Sequence, residues 1–145
     1  MRYWDSSAIV PVLVLEPSTA KVRTWLDDDP HVVTWTMTRL EVIGAIERRV
    51  REAVLSNVNR QAVLHQAEAY FRSFDEVIDV LPVVKQAIVL LARHPLRAAD
   101  AAQLAAAIVA AEGEPASLDF VCLDHNLAEA ARREGFTVYG WNSPE

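Results

Sequence analysis

A single cysteine, Cys122, in 145 residues leaves no partner for an internal disulfide and no multi-cysteine zinc site, and it suits a reducing compartment. No apolar run approaches the roughly eighteen residues that span a bilayer. The apolar start at MRYWD is interrupted by Asp5 and then by Pro11 and Glu16, so no signal-peptide pattern forms. The expected location is the cytoplasm, with no membrane attachment. Basic residues are also scarce: 14 Lys and Arg stand against 20 Asp and Glu, a formal charge of -6. That balance argues against a general nucleic-acid-binding module, whose usual footprint is a basic patch. It does not exclude a nuclease, because a cation can mediate between carboxylates and phosphate. His31, His65 and His94 lack metal-ligand spacing. There is no repeat, low-complexity tract or linker, so the reading is one domain over residues 1–145. The 52% hydrophobic content is that of an ordinary globular chain able to bury a core.

Periodicity then orders the elements. Residues 2–4 read as a strand ending at Asp5, followed by an apolar helical turn over Ile9–Leu15. Ser18 reads as the cap of a short helix over Ala20–Leu26, with Val22, Trp25 and Leu26 inward. His31–Trp35 is a β-rich run. Thr38 and Glu41 have the spacing of a capping box, and the following helix repeats Leu40, Ile43, Ile46 and Val50. Residues 57–73 place Leu64, Ala67, Phe71 and Phe74 at helical intervals, as core or a dimer contact. Val77–Leu81 reads as a third strand ended by Pro82, and residues 84–93 as a helix broken at His94-Pro95. Asp100 opens the alanine-rich DAAQLAAAIVAA, which Gly113 ends near C′. Asp119–Leu123, Asn126–Glu134 and Phe136–Tyr139 complete the chain as strand, helix and strand. Alternating strands and helices predict an α/β fold with a mainly parallel sheet between helical layers.

In such a sheet, strand C-termini and helix N-termini share one edge, and ligands bind there at a switch in strand order. Asp5 and Asp124 follow strands, while Glu41 and Asp100 sit in first turns of helices. Each has an ordinary role alone: Asp5 and Asp100 as helix caps, Glu41 as half of a capping box, Asp124 as a turn former. Together they form a candidate carboxylate cluster. Converging carboxylates repel unless a cation compensates them, and Mg²⁺ or Mn²⁺ accepts oxygen ligands. Phosphodiester hydrolysis is the chemistry such a site best supports. Gly44 and Ala45, one turn beyond Glu41, leave either room beside its carboxylate or a close helix packing.

The segments YWDSSAIV, TRLEV, LRAADAAQLAAAI and FVCLDHNLAEAARREGF, in this order, resemble those of PIN-domain nucleases, and more narrowly of VapC-type toxins of toxin–antitoxin pairs. The resemblance covers nearly the whole chain. It implies a PIN-like three-layer α/β/α sandwich and Mg²⁺- or Mn²⁺-dependent cleavage of RNA. It further implies a homodimer and a cognate antitoxin partner. Asp5, Glu41, Asp100 and Asp124 match the four family acids, as metal-binding and catalytic residues. Ser6 or Ser7 matches the small hydroxyl residue that supports such sites. Cys122 departs from the family, which commonly has threonine or serine there, and so bears on the support of Asp124. Asp119 competes with Asp124 but begins its strand, at the opposite end of the sheet.

Arg97, three residues before Asp100, is a candidate phosphate contact. Arg48, Arg49 and Arg51 read either as an RNA track or, by preference, as a solvated helix face. Trp4 and Trp35 read as core; Trp25 and Trp141 can stack on bases. The rival functions are a signalling receiver domain and a catalytically inactive PIN-like module that binds RNA or protein. A receiver normally has an acidic pair after its first strand; here Ser6 follows Asp5.

Overall fold

The computed structural model describes residues 1–140. Trp141 lies outside the described residues. The element order is β1 (Arg2–Trp4), α1 (Ser6–Leu13), α2 (Thr19–Asp28), β2 (Val32–Trp35), α3 (Thr38–Arg51), α4 (Asn57–Ser73), β3 (Asp75–Val77) and α5 (Val80–Arg93). There follow α6 (Ala98–Ala110), a 3₁₀ turn at Pro115–Ser117, β4 (Asp119–Val121), α7 (His125–Arg133) and β5 (Val138–Tyr139). The strands form a parallel sheet in the order β3-β2-β1-β4-β5.

Alternate residues of the central strand serve the two helical layers. Tyr3 packs with Phe120 and with α5, α6 and α7, while Trp4 packs with Val121 and with α1, α2, α3 and α4. Both are fully buried, as a strand covered on both faces requires. The expected α/β/α sandwich is therefore present. On the first layer α6 lies against the sheet through Ala101, Leu104, Ala105 and Ala107, and the small alanine side chains permit close approach. On the second, Phe71 is buried and Leu64 and Phe74 pack against the cluster, so this face of α4 is core. Among the described residues no helix is long and apolar enough to cross a membrane.

Several elements differ from the sequence reading for identifiable reasons. The third strand is Asp75–Val77, not Val77–Leu81; it pairs with β2, and α5 begins at Val80. Pro82 therefore sits in the first turn of α5, where its missing N–H has no intrahelical acceptor to lose. Helix α1 starts at Ser6 rather than Ile9 because Asp5 caps it, and it carries Pro11 inside. Thr38 does not cap α3: the N-cap is Met37, with no side-chain bond, so no capping box forms. The buried residues of α3 are Thr38, Val42 and Ile46, with Leu40 exposed. Ser18 occupies the N-cap of α2 without a side-chain bond. Asp100 stands in the first turn of α6, which opens two residues earlier at Ala98.

Candidate active site

Strand order reverses between β1 and β4. The chain leaves β1 for β2 and β3 on one side and returns for β4 and β5 on the other. The crevice at the carboxyl ends of β1 and β4 is thus the expected ligand position. A cavity of about 610 Å³ opens there, and Asp5, Glu41, Asp100 and Asp124 all line it. Ser6 and Ser7 line it as well. Asp119 does not; it begins β4 and lies 3.7 Å from Arg2 Nε, at the far end of the strand.

The first two residues of α1 organise the floor. Asp5 is buried, and its Oδ2 accepts from the Ser7 N–H at 3.0 Å and from Ser7 Oγ at 2.5 Å. The same Ser7 hydroxyl accepts from the backbone N–H groups of Leu123 at 2.9 Å and Asp124 at 3.2 Å, tying the end of β1 to the end of β4. Ser6 Oγ donates to Glu41 Oε2 at 2.9 Å. Since no capping box recruits it, the Glu41 carboxylate turns to the site instead.

Behind Glu41 lies a buried polar chain. Tyr3 donates its hydroxyl to Gln103 Oε1 at 2.7 Å. That fixes the amide so that Nε2 donates to Glu41 Oε1 at 3.0 Å and to Thr38 Oγ1 at 2.9 Å. Thr38 also meets Thr34 Oγ1 at 2.9 Å, and Thr34 donates to the carbonyl of Trp4 at 2.7 Å. Gln103 is fully buried yet satisfied at both ends. Its importance was legible only faintly: it is the one polar residue among the alanines of α6, one turn after Asp100. Tyr3 and Thr34 gave no such signal, and in the sequence Thr38 reads only as a candidate helix cap.

The carboxylates that line this cavity also act on one another electrostatically. Burial raises Asp5 to about 6, against the lowering effect of the Ser7 bonds, and the charge of Glu41 adds to the rise. Glu41 is raised by burial, then lowered by Ser6 and Gln103, with Asp100 raising it further. Asp100 is raised by burial and by the charges of Asp124 and Asp5, with Arg97 opposing. Arg97 itself is exposed at the N-cap of α6 and does not line the cavity. Asp124 is exposed and caps α7, its Oδ1 accepting from Leu127 N–H at 2.8 Å.

Cys122 is buried beneath this floor, its sulfur 3.7 Å from Asp5 Oδ2 and 3.4 Å from the Asp124 carbonyl oxygen. Burial and the Asp5 charge push its thiol well above the ordinary value, which disfavours the nucleophilic thiolate. Ser7, not residue 122, supplies the strong hydrogen bond to the Asp124 backbone. Arg48, Arg49 and Arg51 line the cavity too, and Arg48 and Arg51 are exposed to solvent there. Gly44 and Ala45 also line it, and a Cβ placed on Gly44 meets nothing within 4 Å. Room beside Glu41, rather than close packing, is the role of that glycine.

No family model matches the chain. Ribonuclease VapC47 of Mycobacterium tuberculosis is 29% identical to it over 95% of both chains. The chain is thus similar to a VapC ribonuclease along nearly its whole length. Two solved structures share the fold. A toxin–antitoxin complex from Klebsiella pneumoniae superposes with a TM-score of 0.63 at 12% identity, over 88% of this chain and 91% of its own. FitAB bound to the IR36 DNA fragment gives 0.68 at 17% identity, over 100% and 99%. The α/β sandwich anticipated from the motifs is thus the PIN-like one.

Proposed function

We propose that the chain is an endoribonuclease dependent on Mg²⁺ or Mn²⁺, and the toxin of a toxin–antitoxin pair. The observation that carries this reading is that four carboxylates from four separate segments line one cavity at the switch point, three of them with raised pKa values. The ribonuclease relative supports the nucleic-acid substrate, and the toxin–antitoxin neighbour supports an antitoxin partner.

The donor set fits a hard divalent cation. It is all oxygen, partly desolvated and mutually repelling, so a cation would relieve the energy stored there. Among the described residues no three His, Cys, Asp or Glu side chains form a ready chelate. Mg²⁺ keeps several waters and takes one or two carboxylates directly, so it does not require three in contact. Asp5, Glu41 and Asp100 would hold it, directly or through its waters, with Asp124 assisting from the mouth. When bound, such a cation neutralises phosphate charge and makes water more acidic.

The chain's own residues prepare the site. Ser7 pins the Asp5 carboxylate by Oδ2, and Ser6 and Gln103 hold one oxygen each of Glu41, so both are oriented before substrate arrives. Hydrolysis of an RNA phosphodiester then proceeds by in-line attack of water on phosphorus, its proton passing to a carboxylate and the leaving oxygen taking a proton from solvent.

Helix α5 exposes Val80, Leu81, Val84, Ile88 and Leu91, with Ile78 just before it. An apolar face of this kind supports the proposed homodimer, which light scattering tests. The cytoplasm, reducing and rich in RNA, is the proposed location. A receiver domain is not favoured: Asp79, the carboxylate that follows β3, does not line the cavity. Incubation of the purified chain with an RNA pool in Mg²⁺, Mn²⁺ or chelator, beside Asp100→Asn, tests the main reading. Cleavage with cation only, lost in the variant, is expected. Cleavage that survives chelation, or full activity in folded Asp100→Asn, overturns it.

A further inference from the structure

The cavity has two electrostatically opposite ends, joined by one face of α3. Glu41 marks the acidic end. Gly44 and Ala45 follow one turn on, then Arg48 after a second turn and Arg51 after a third, and all of them line the same cavity. Seven residues of helix separate Glu41 from Arg48, a rise of about 10 Å. The arginines are not equivalent. Arg49 is committed: its Nε donates to Glu16 Oε1 at 2.8 Å and its Nη1 to the Ala45 carbonyl at 3.2 Å. Arg48 and Arg51 are exposed and make no ion pair among the described residues; Glu47 acts on Arg51 only through its charge.

Gly44 is an independent indication. Glycine inside a helix weakens it and is normally explained by a close neighbour. Here nothing lies within 4 Å of the position its Cβ would take, and its φ is not left-handed. Neither packing nor backbone conformation calls for glycine. Its effect is a shallow saddle in the helix surface, midway between the carboxylate and the free arginines.

We propose that this face of α3 is the track for a single strand of RNA. The strand crosses the helix at Gly44, with its reacting phosphate at the Glu41 end and a flanking phosphate on Arg48 and Arg51. The assignment rests on the nuclease reading and adds to it which residues hold the uncut part of the substrate. Guanidinium groups bind phosphate through paired donors and release counterions on doing so. A chain of net charge -6 thereby binds an anion locally.

The test uses the full chain in an Asp100→Asn background, with a fluorescein-labelled single-stranded RNA of random sequence followed by anisotropy in Mg²⁺ over a salt series. Joint Arg48→Ala and Arg51→Ala substitution is expected to weaken binding about 10-fold or more and to flatten the log–log salt slope by about 0.7, the value for one lost phosphate contact on a single strand. Gly44→Leu, which has space to fold, is expected to block binding, and Gly44→Ala to retain most of it. Thermal melts as cooperative as the parent's show that each variant is folded. If the unsubstituted chain cleaves RNA but the arginine variant keeps the parent slope, the track is wrong and the nuclease reading stands. If the chain neither cleaves nor binds RNA, the nuclease reading falls and the track with it. Loss of binding to a polyglutamate peptide, with RNA binding intact, also overturns the track in favour of a protein ligand.

Discussion

Asp5 and Asp124 occupy equivalent corners of adjacent units. Each follows a central strand, each is the N-cap of the next helix, and each accepts a backbone N–H from that helix. Their surroundings nevertheless differ. Asp5 is 3% exposed, with its carboxyl raised to about 6 by burial, whereas Asp124 stands in solvent at the mouth. Local capping chemistry is therefore the same at both corners, and depth separates them. The deep corner holds a desolvated carboxylate, which the proposed cation would stabilise; the shallow one caps its helix. Ser7 spans the two, donating to one carboxylate and accepting from the backbone beside the other.

The largest expected effect is on cleavage. Asp5→Asn should lower the rate on the order of 10³-fold and Asp124→Asn on the order of 10-fold, since only the first removes a buried charge from the cation's surroundings. Equal losses in single-turnover assays would break the comparison. A stability difference follows in the cation-free protein. Asp5 has a folded pKa of about 6 against an ordinary 3.8, so its proton is held more tightly in the folded state. The stabilisation is fully present below the unfolded value and is lost as pH rises through about 6, for a total on the order of 3 kcal/mol. Glu41 and Asp100 are shifted the same way and add to the slope. Urea titrations should show wild type weakening between pH 4 and pH 6.5, Asp5→Asn weakening less, and Mg²⁺ restoring wild type. A pH dependence unchanged by Asp5→Asn would remove burial as the distinguishing cause.

Ser7→Ala tests whether the two corners are coupled. It leaves the Leu123 and Asp124 N–H groups without their hydroxyl acceptor, and a loss of about 2 kcal/mol is expected in denaturant unfolding. Near-neutral behaviour would mean that water replaces the hydroxyl. The smallest effect belongs to the shallow corner: Asp124→Ala should cost about 1 kcal/mol through the lost cap, and Asp124→Asn almost nothing. If Asn also destabilises, Asp124 does more than cap.

Much of this was legible beforehand because it depends on local rules. Strand and helix alternation, the parallel sheet and the placement of all four acids at one edge follow from hydrophobic period and from carboxylates at element ends. The failures occurred where a tertiary partner outbid a local pattern. Thr38 and Glu41 have capping-box spacing, but Thr34, Gln103 and Ser6 claim their side chains. Leu40 fits a helical stripe, yet the layer it was assigned to meets Val42 and Ile46. The apolar run at Val77–Leu81 has strand composition, but the register with β2 ends at Val77.

By itself, then, the sequence determined the α/β order and which carboxylates gather at the switch point, because strand direction assigns element ends to one edge. Only the tertiary structure decided what each carboxylate became. Burial raised the Asp5 carboxyl to about 6, and exposure left Asp124 a solvated cap. The Tyr3–Gln103 pair aimed Glu41, and the open space over Gly44 joined it to Arg48. Desolvation and the pairing of buried donors depend on neighbours distant in the chain, and no spacing within a single helix encodes them.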